Sequence, residues 1–353
     1  MIRTHRRSFL ETLATASFLS LGTRRASGAI SAARACADRR RELLAKMERV
    51  MGPFPRQKKK PPLDVQTLET VDLPTHTRSS ITFVSEEGDR VPGFLLRPKN
   101  LKGRAPAMLC LHQTIVQGAA EVAGVSGDPN LHYGQELAER GYVVMAPDYP
   151  DLPLSQGFGG YRFDAYRHGY ASNTMKAIWN HARAVDLLET LPEVDAARMG
   201  CIGHSLGGHN SLFVAAFDER LRVAVTSSGF TSFAKYYGGE LSGWSQLRYM
   251  PLIATQYHDN PSEMPFDFTD VLEALAPRPV FINAPLRDSN FDYTGVDDVV
   301  RTVREACAAD FNAEDRLLVR HPDAPHSFPP EVRHEAYEFI DKWLEHKKST
   351  ELP

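Results

Sequence analysis

The residues best able to do chemistry stand at Gly203-His204-Ser205-Leu206-Gly207-Gly208. The apolar run Met199–Ile202 precedes them and a helical pattern follows. Ser205 therefore stands on a sharp turn between strand and helix. Glycines around a strained serine remove the side chains it would strike. The helix start aims its unpaired backbone N–H groups and positive dipole end at the reacting centre. Ser205 is thus the candidate nucleophile.

A serine hydroxyl is a poor nucleophile near neutral pH. It needs a general base, and the base needs an orienting acid. In a strand–turn–helix setting of this kind the acid and then the histidine follow the serine in the chain. Asp288 follows the apolar run Val280–Asn283, and Asp292, four residues on, is its rival. His326, in Pro325-His326-Ser327-Phe328, is the expected base, with His321 as its rival. Acyl transfer also needs donors for the developing oxyanion. The N–H of Leu206 supplies one. The turn His112-Gln113-Thr114 supplies the other, through Gln113 or else Thr114.

These groups must be held by a sheet. Val65–Val71, Ser79–Val84 and Val91–Leu96 read as an antiparallel edge, with a turn at Glu87-Gly88-Asp89. From Ala107 the pattern alternates strand and helix, as in a doubly wound parallel sheet. Strands are expected at 107–111, 142–146, 199–203, 221–226, 279–283 and 317–319. Helices are expected at 133–140, 174–191, 206–217, 296–309 and 331–346. Two connections, 148–173 and 229–270, are long enough to be functional. The second carries Phe230, Tyr236, Tyr237 and Trp244. With His112 and His204 these are candidate pocket residues, although an aromatic mini-core holding the loop together explains the rings equally well. Tyr161, Phe163, Tyr166 and Tyr170, with Arg162 and Arg167, enrich the first loop.

The chain has 353 residues, 41 Lys plus Arg and 44 Asp plus Glu, a net charge of −3. Hydrophobic residues at 42% and charged residues at 24% exclude a disordered or fibrous chain, and the near-neutral charge argues against nucleic acid as a partner. Cys36, Cys110, Cys201 and Cys307 make neither a disulfide framework nor a zinc pattern, and His132, His168, His181, His209 and His258 lack metal-ligand spacing. No metal or organic cofactor is expected. Arg6-Arg7-Ser8-Phe9-Leu10, followed by a short apolar stretch and small residues, resembles a twin-arginine export signal, although Glu11 departs from the pattern. The expected layout is therefore signal 1–29, helix and Pro/Lys-rich linker 30–64, catalytic domain 65–347 and tail 348–353. The mature protein is expected outside the cytoplasm, periplasmic or extracellular, with no stable membrane span.

The segments 191–208, 140–149 and Leu275-Ala-Pro-Arg-Pro-Val280 resemble the α/β-hydrolases. More narrowly, they resemble the dienelactone-hydrolase-like and acetyl-xylan-esterase-like bacterial serine esterases, and they are also similar to the catalytic domain of prolyl oligopeptidases. The resemblance implies an α/β-hydrolase fold and an esterase acting on small-molecule or oligosaccharide esters, acetylated xylan fragments among them. True dienelactone hydrolases use a cysteine nucleophile, so Ser205 departs from them. Such relatives often carry His-Gly-Gly where this chain has His112-Gln113-Thr114. A peptidase is the alternative, set lower because residues 30–64 leave no room for the propeller that prolyl oligopeptidases usually carry. A catalytically silent binding protein is the third reading, against which the Ser, Asp, His order stands.

Overall fold

The computed structural model describes residues 37–56, 59–150, 160–307 and 315–347. The export-signal reading, Cys36 and the tail after residue 347 lie outside them. Among the described residues one nine-stranded sheet forms, in the order β1-β2-β3-β5-β4-β6-β7-β8-β9. Its strands are β1 (Gln66–Asp72), β2 (His76–Glu86), β3 (Asp89–Pro98), β4 (Ala105–Leu111), β5 (Val143–Pro147), β6 (Val194–His204), β7 (Leu221–Ser227), β8 (Val280–Asn283) and β9 (Leu317–Arg320). The pairs β1/β2, β2/β3 and β3/β5 are antiparallel. From β5 through β9 neighbouring strands run parallel.

The central strands read as unbroken apolar runs because both faces are covered. Successive side chains alternate between the faces. Ala107, Leu109 and Leu111 enter one core, and Met108 and Cys110 the other. The first core is closed by helices α1 (residues 37–51), α4 (Asn173–Thr190), α5 (Leu206–Phe217), α7 (Phe268–Leu275) and α8 (Tyr293–Ala306). The second is closed by α2 (Ala119–Val122), α3 (Tyr133–Glu139) and α9 (Pro330–Trp343). This is the expected mixed sheet with an antiparallel edge and helices on both sides.

Helix α5 has the predicted bounds. Helix α8 starts three residues before Val296, because Asp292 caps it by accepting from the N–H of Thr294. The 229–270 connection contains short helical turns and a sixth helix, α6 (Leu252–Tyr257). Its last turn leads into α7 through a capping box between Asp267 and Asp270. Among the described residues no helix is long and apolar enough to cross a membrane.

Candidate active site

Ser205 ends the β6 run and caps α5 with φ 56° and ψ −118°. That conformation costs a non-glycine residue about 1–3 kcal/mol, so its surroundings must hold it. Its N–H donates to Ser227 O at 2.8 Å, and its carbonyl accepts from His209 N at 3.2 Å. The glycines supply the rest. A Cβ on Gly207 would overlap the carbonyl of Leu111 and lie 2.9 Å from His112 O. A Cβ on Gly208 would stand 2.7 Å from Gly229 Cα. The start of α5 is thereby pressed onto the end of β4. This brings the turn at 112–114 beside the N-terminus of the serine helix.

Asp288 and His326 come together from two loops at the same edge of the sheet. His326 Nδ1 lies 3.0 and 2.9 Å from the two carboxylate oxygens of Asp288. Asp288 also accepts from the N–H groups of Asn290 and Phe291, at 2.8 and 3.1 Å. Burial pushes its carboxyl up. The hydrogen bond and charge of His326, with those two N–H groups, outweigh burial and hold it below the usual carboxylate range. Asn283, at the end of β8, ties in the loop of His326 by donating to Ser327 O at 3.0 Å. The His326 ring lies 4.8 Å from that of His204, the neighbour of Ser205, and 5.9 Å from that of Phe291. Nε2 of His326 bonds no described residue. The rivals sit elsewhere. Asp292 caps α8, and His321 bonds Ala284 O and Asp297.

The N–H groups of Gln113, Thr114 and Leu206 donate to no described residue. For Leu206 this follows from its place in the first turn of a helix. The side chains of the 112–114 turn are anchored inward. His112 is buried, and its Nδ1 meets Gln113 O at 2.6 Å. Burial lowers its ring pKa to about 4, the bond to Gln113 opposing, so the ring is neutral near pH 7. Gln113 Nε2 donates to the buried Glu121, and Thr114 Oγ1 shares a hydrogen bond with Tyr249 OH at 3.0 Å.

Of the pocket candidates, Tyr237 alone is well exposed, at 60%, and its hydroxyl donates to Asn290 at 3.0 Å. Phe230, Tyr236 and Trp244 are buried in an aromatic cluster with Phe233, Phe266 and Phe268. That cluster reaches the site through Phe291, which lies 5.8 Å from Tyr236 and 5.9 Å from Trp244. These rings back the wall of the site and hold its loop. His204 is buried, its Nδ1 2.9 Å from Ser227 Oγ. Burial, aided by the nearby His326, lowers its pKa to about 3. The aromatics of the other loop serve a different end. Phe163 and Tyr170 cradle the ammonium of the buried Lys176, at 4.3 and 5.5 Å. Tyr161 donates to Asp89 at 2.6 Å. Arg167 is exposed and pairs with Asp164.

Sequence reasoning misses two buried acids behind the 112–114 turn. Asp148 follows β5 and accepts from Ala119 N at 2.7 Å. Burial raises its carboxyl to about 7 against that bond. Glu121 is the other, also pushed up by burial. The signal available was an acid directly after an apolar strand, and one inside a short apolar helix. Among the described residues no group of three His, Cys, Asp or Glu could hold a metal ion.

Comparison with known proteins adds three kinds of likeness. Residues 130–350 match the prolyl oligopeptidase family. YtaP of Bacillus subtilis, a protein named as a hydrolase, is 26% identical over 327 residues, which span 87% of this chain and 99% of YtaP. Among solved structures, a glucuronoyl esterase from Solibacter usitatus superposes with a TM-score of 0.67 at 18% identity, covering 86% of this chain and 91% of its own. Acetyl xylan esterase 1 from Thermoanaerobacterium sp. gives 0.57 at 18% identity, over 87% and 93%. At those identities the two esterases share the fold. The narrower dienelactone-hydrolase likeness finds no support in these relatives.

Proposed function

The chain belongs to the prolyl oligopeptidase family of α/β-hydrolases, and we propose that within it this protein is a serine esterase acting on carboxylic esters of carbohydrates. The observation that carries this is the Asp288–His326 pair beside the Ser205 turn, with Nε2 of His326 uncommitted. Ser205 attacks the ester carbonyl while His326 takes its proton. Asp288 orients the imidazole and stabilises its cation. The N–H groups of Leu206 and Gln113 hold the oxyanion of the tetrahedral intermediate. Collapse expels the alcohol, which takes the proton from His326. Water, deprotonated by His326, then attacks the acyl-serine; collapse breaks the bond to Ser205 Oγ, which takes the proton back from His326, and the acid leaves.

Esterases of carbohydrate polymers recur among the structures that share this fold. That supports an acylated or esterified polysaccharide fragment, such as acetylated xylan, as substrate. The arginine pair at the amino terminus supports export by the twin-arginine route. The family match keeps peptide cleavage as the second reading. A panel of p-nitrophenyl acetate, acetylated xylo-oligosaccharides and prolyl peptides, with Ser205→Ala beside the wild type, separates the two. Ester hydrolysis lost in Ser205→Ala is the expected result. Cleavage of prolyl peptides without ester hydrolysis would reverse the reading.

A further inference from the structure

Position 113 holds a glutamine where the turn has use for a backbone N–H alone. A long polar side chain there could swing over the serine. It is instead drawn back into the protein. Gln113 Nε2 donates to both carboxylate oxygens of Glu121, at 3.2 and 3.0 Å. We propose that Glu121 is a positioning residue for the second oxyanion donor: by clamping the Gln113 side chain it fixes the direction of the Gln113 N–H.

The clamp rests on the serine-hydrolase reading above, and its geometry is built from both ends. Glu121 is fully buried. Its own position is fixed by the N–H of Asp128, which donates to it at 3.1 Å. Gly127 also packs on it so closely that a Cβ there would lie 2.7 Å from Glu121 Cγ. The short helix that carries Glu121 is moored at its first residue by Asp148, through Ala119 N. On the other side of the Gln113 Cα, the ring of His112 holds the Gln113 carbonyl. With the side chain and the carbonyl both held, the remaining N–H has little freedom. The Gln113 N–H lies on the rigid peptide plane shared with His112, which ends at that same Cα, so fixing the Cα through its side chain and carbonyl leaves rotation about the N–Cα bond as the donor's remaining freedom. Oxyanion donors act because they are pre-aimed, so a loosened donor loses transition-state binding and leaves ground-state binding nearly intact.

The test uses the full chain with p-nitrophenyl acetate as substrate and phenylboronic acid as the tetrahedral mimic. Glu121→Ala is expected to lower kcat by about 10- to 100-fold with KM within about 3-fold, and to weaken the boronate by the same factor as kcat. Glu121→Gln, which still accepts from Gln113, is expected to recover most of that loss. In a Gln113→Gly background, where no side chain needs clamping, adding Glu121→Ala is expected to cost less than about 2-fold more. Should Glu121→Ala fail to fold, Gln113→Leu carries the test and is expected to show the same loss in kcat. An equal loss from Glu121→Ala with and without Gln113, or none at all, would overturn the clamp. Failure of the underlying reading shows separately, as a wild-type Ser205 that no fluorophosphonate labels, and removes the clamp with it.

Discussion

Two histidine–aspartate pairs lie five residues apart on the loop after β9, and they do opposite things. His326 and His321 are almost equally exposed, at 24% and 26% of their side chains. Exposure therefore does not distinguish them. The acids do: Asp288 is 1% exposed and holds two further N–H groups, whereas Asp297 is 49% exposed on α8. The second ring nitrogen distinguishes them further. In His321 both nitrogens are engaged, one by Ala284 O at 2.7 Å and one by Asp297 at 3.0 Å. In His326 only Nδ1 is engaged. A ring tied at both nitrogens is a strut between β9, the loop after β8 and α8. A ring tied at one, against a buried acid, is poised to exchange a proton at the other. On the proposed reading, the unbonded nitrogen is what marks His326 rather than His321 as the base.

The strongest way to break that contrast is to remove each ring in turn. His326→Gln is expected to lower kcat by at least about 10³-fold, and His321→Gln by less than about 3-fold, in steady-state ester hydrolysis. Comparable losses would erase the distinction. Next in size, Asp288→Asn is expected to cost about 10²- to 10⁴-fold in kcat, because the imidazole loses its orienting acceptor. Asp297→Asn should leave kcat nearly unchanged. The smallest expected effect is at the rival acid. Asp292→Ala removes the α8 cap and should cost about 1 kcal/mol of stability, read as a drop in Tm at unchanged kcat.

Stability against pH sharpens the same comparison, because two buried acids near the site have opposite shifts. The carboxyl of Asp288 is held below its unfolded value of about 3.9. The unfolded chain then binds more protons in that range, and the contribution of Asp288, present above about pH 4, is lost as pH falls. Asp148 is raised by burial to about 7. Here the folded state binds more protons, so stability drops as pH rises from about 4 towards 7. Urea unfolding should show the gap between wild type and Asp288→Asn closing below about pH 4. Asp148→Asn should gain on wild type from about pH 4 to about pH 7.

Local rules carried the elements that lie within a short stretch of chain. The glycines around Ser205 fixed α5 to the residue, and the apolar run 107–111 marked β4 because a strand covered on both faces needs no alternation. The acid after β8 and the histidine before α9 were legible for the same reason, each being placed by strand-end logic. Hidden from the sequence were contacts across the chain. Tyr161, Phe163 and Tyr170 stand out in the sequence only as an aromatic-rich loop, yet they gather around Lys176, whose ammonium meets Asp89 at 2.6 Å and Glu86 at 2.7 Å. Nothing local links position 176 to the β2–β3 turn 87 residues away. Glu121 and Asp148 escaped notice because their partners are backbone groups, one amide and the His112 ring, brought together across the chain with no spacing pattern.

The most direct test is to map by mass spectrometry where a fluorophosphonate attaches, in the wild type and in folded His326→Gln. A single adduct on Ser205, with its rate of formation cut by at least about 10²-fold in the variant, is the predicted result. An adduct on another residue, or unchanged labelling of Ser205 without His326, would contradict the assignment of nucleophile and base.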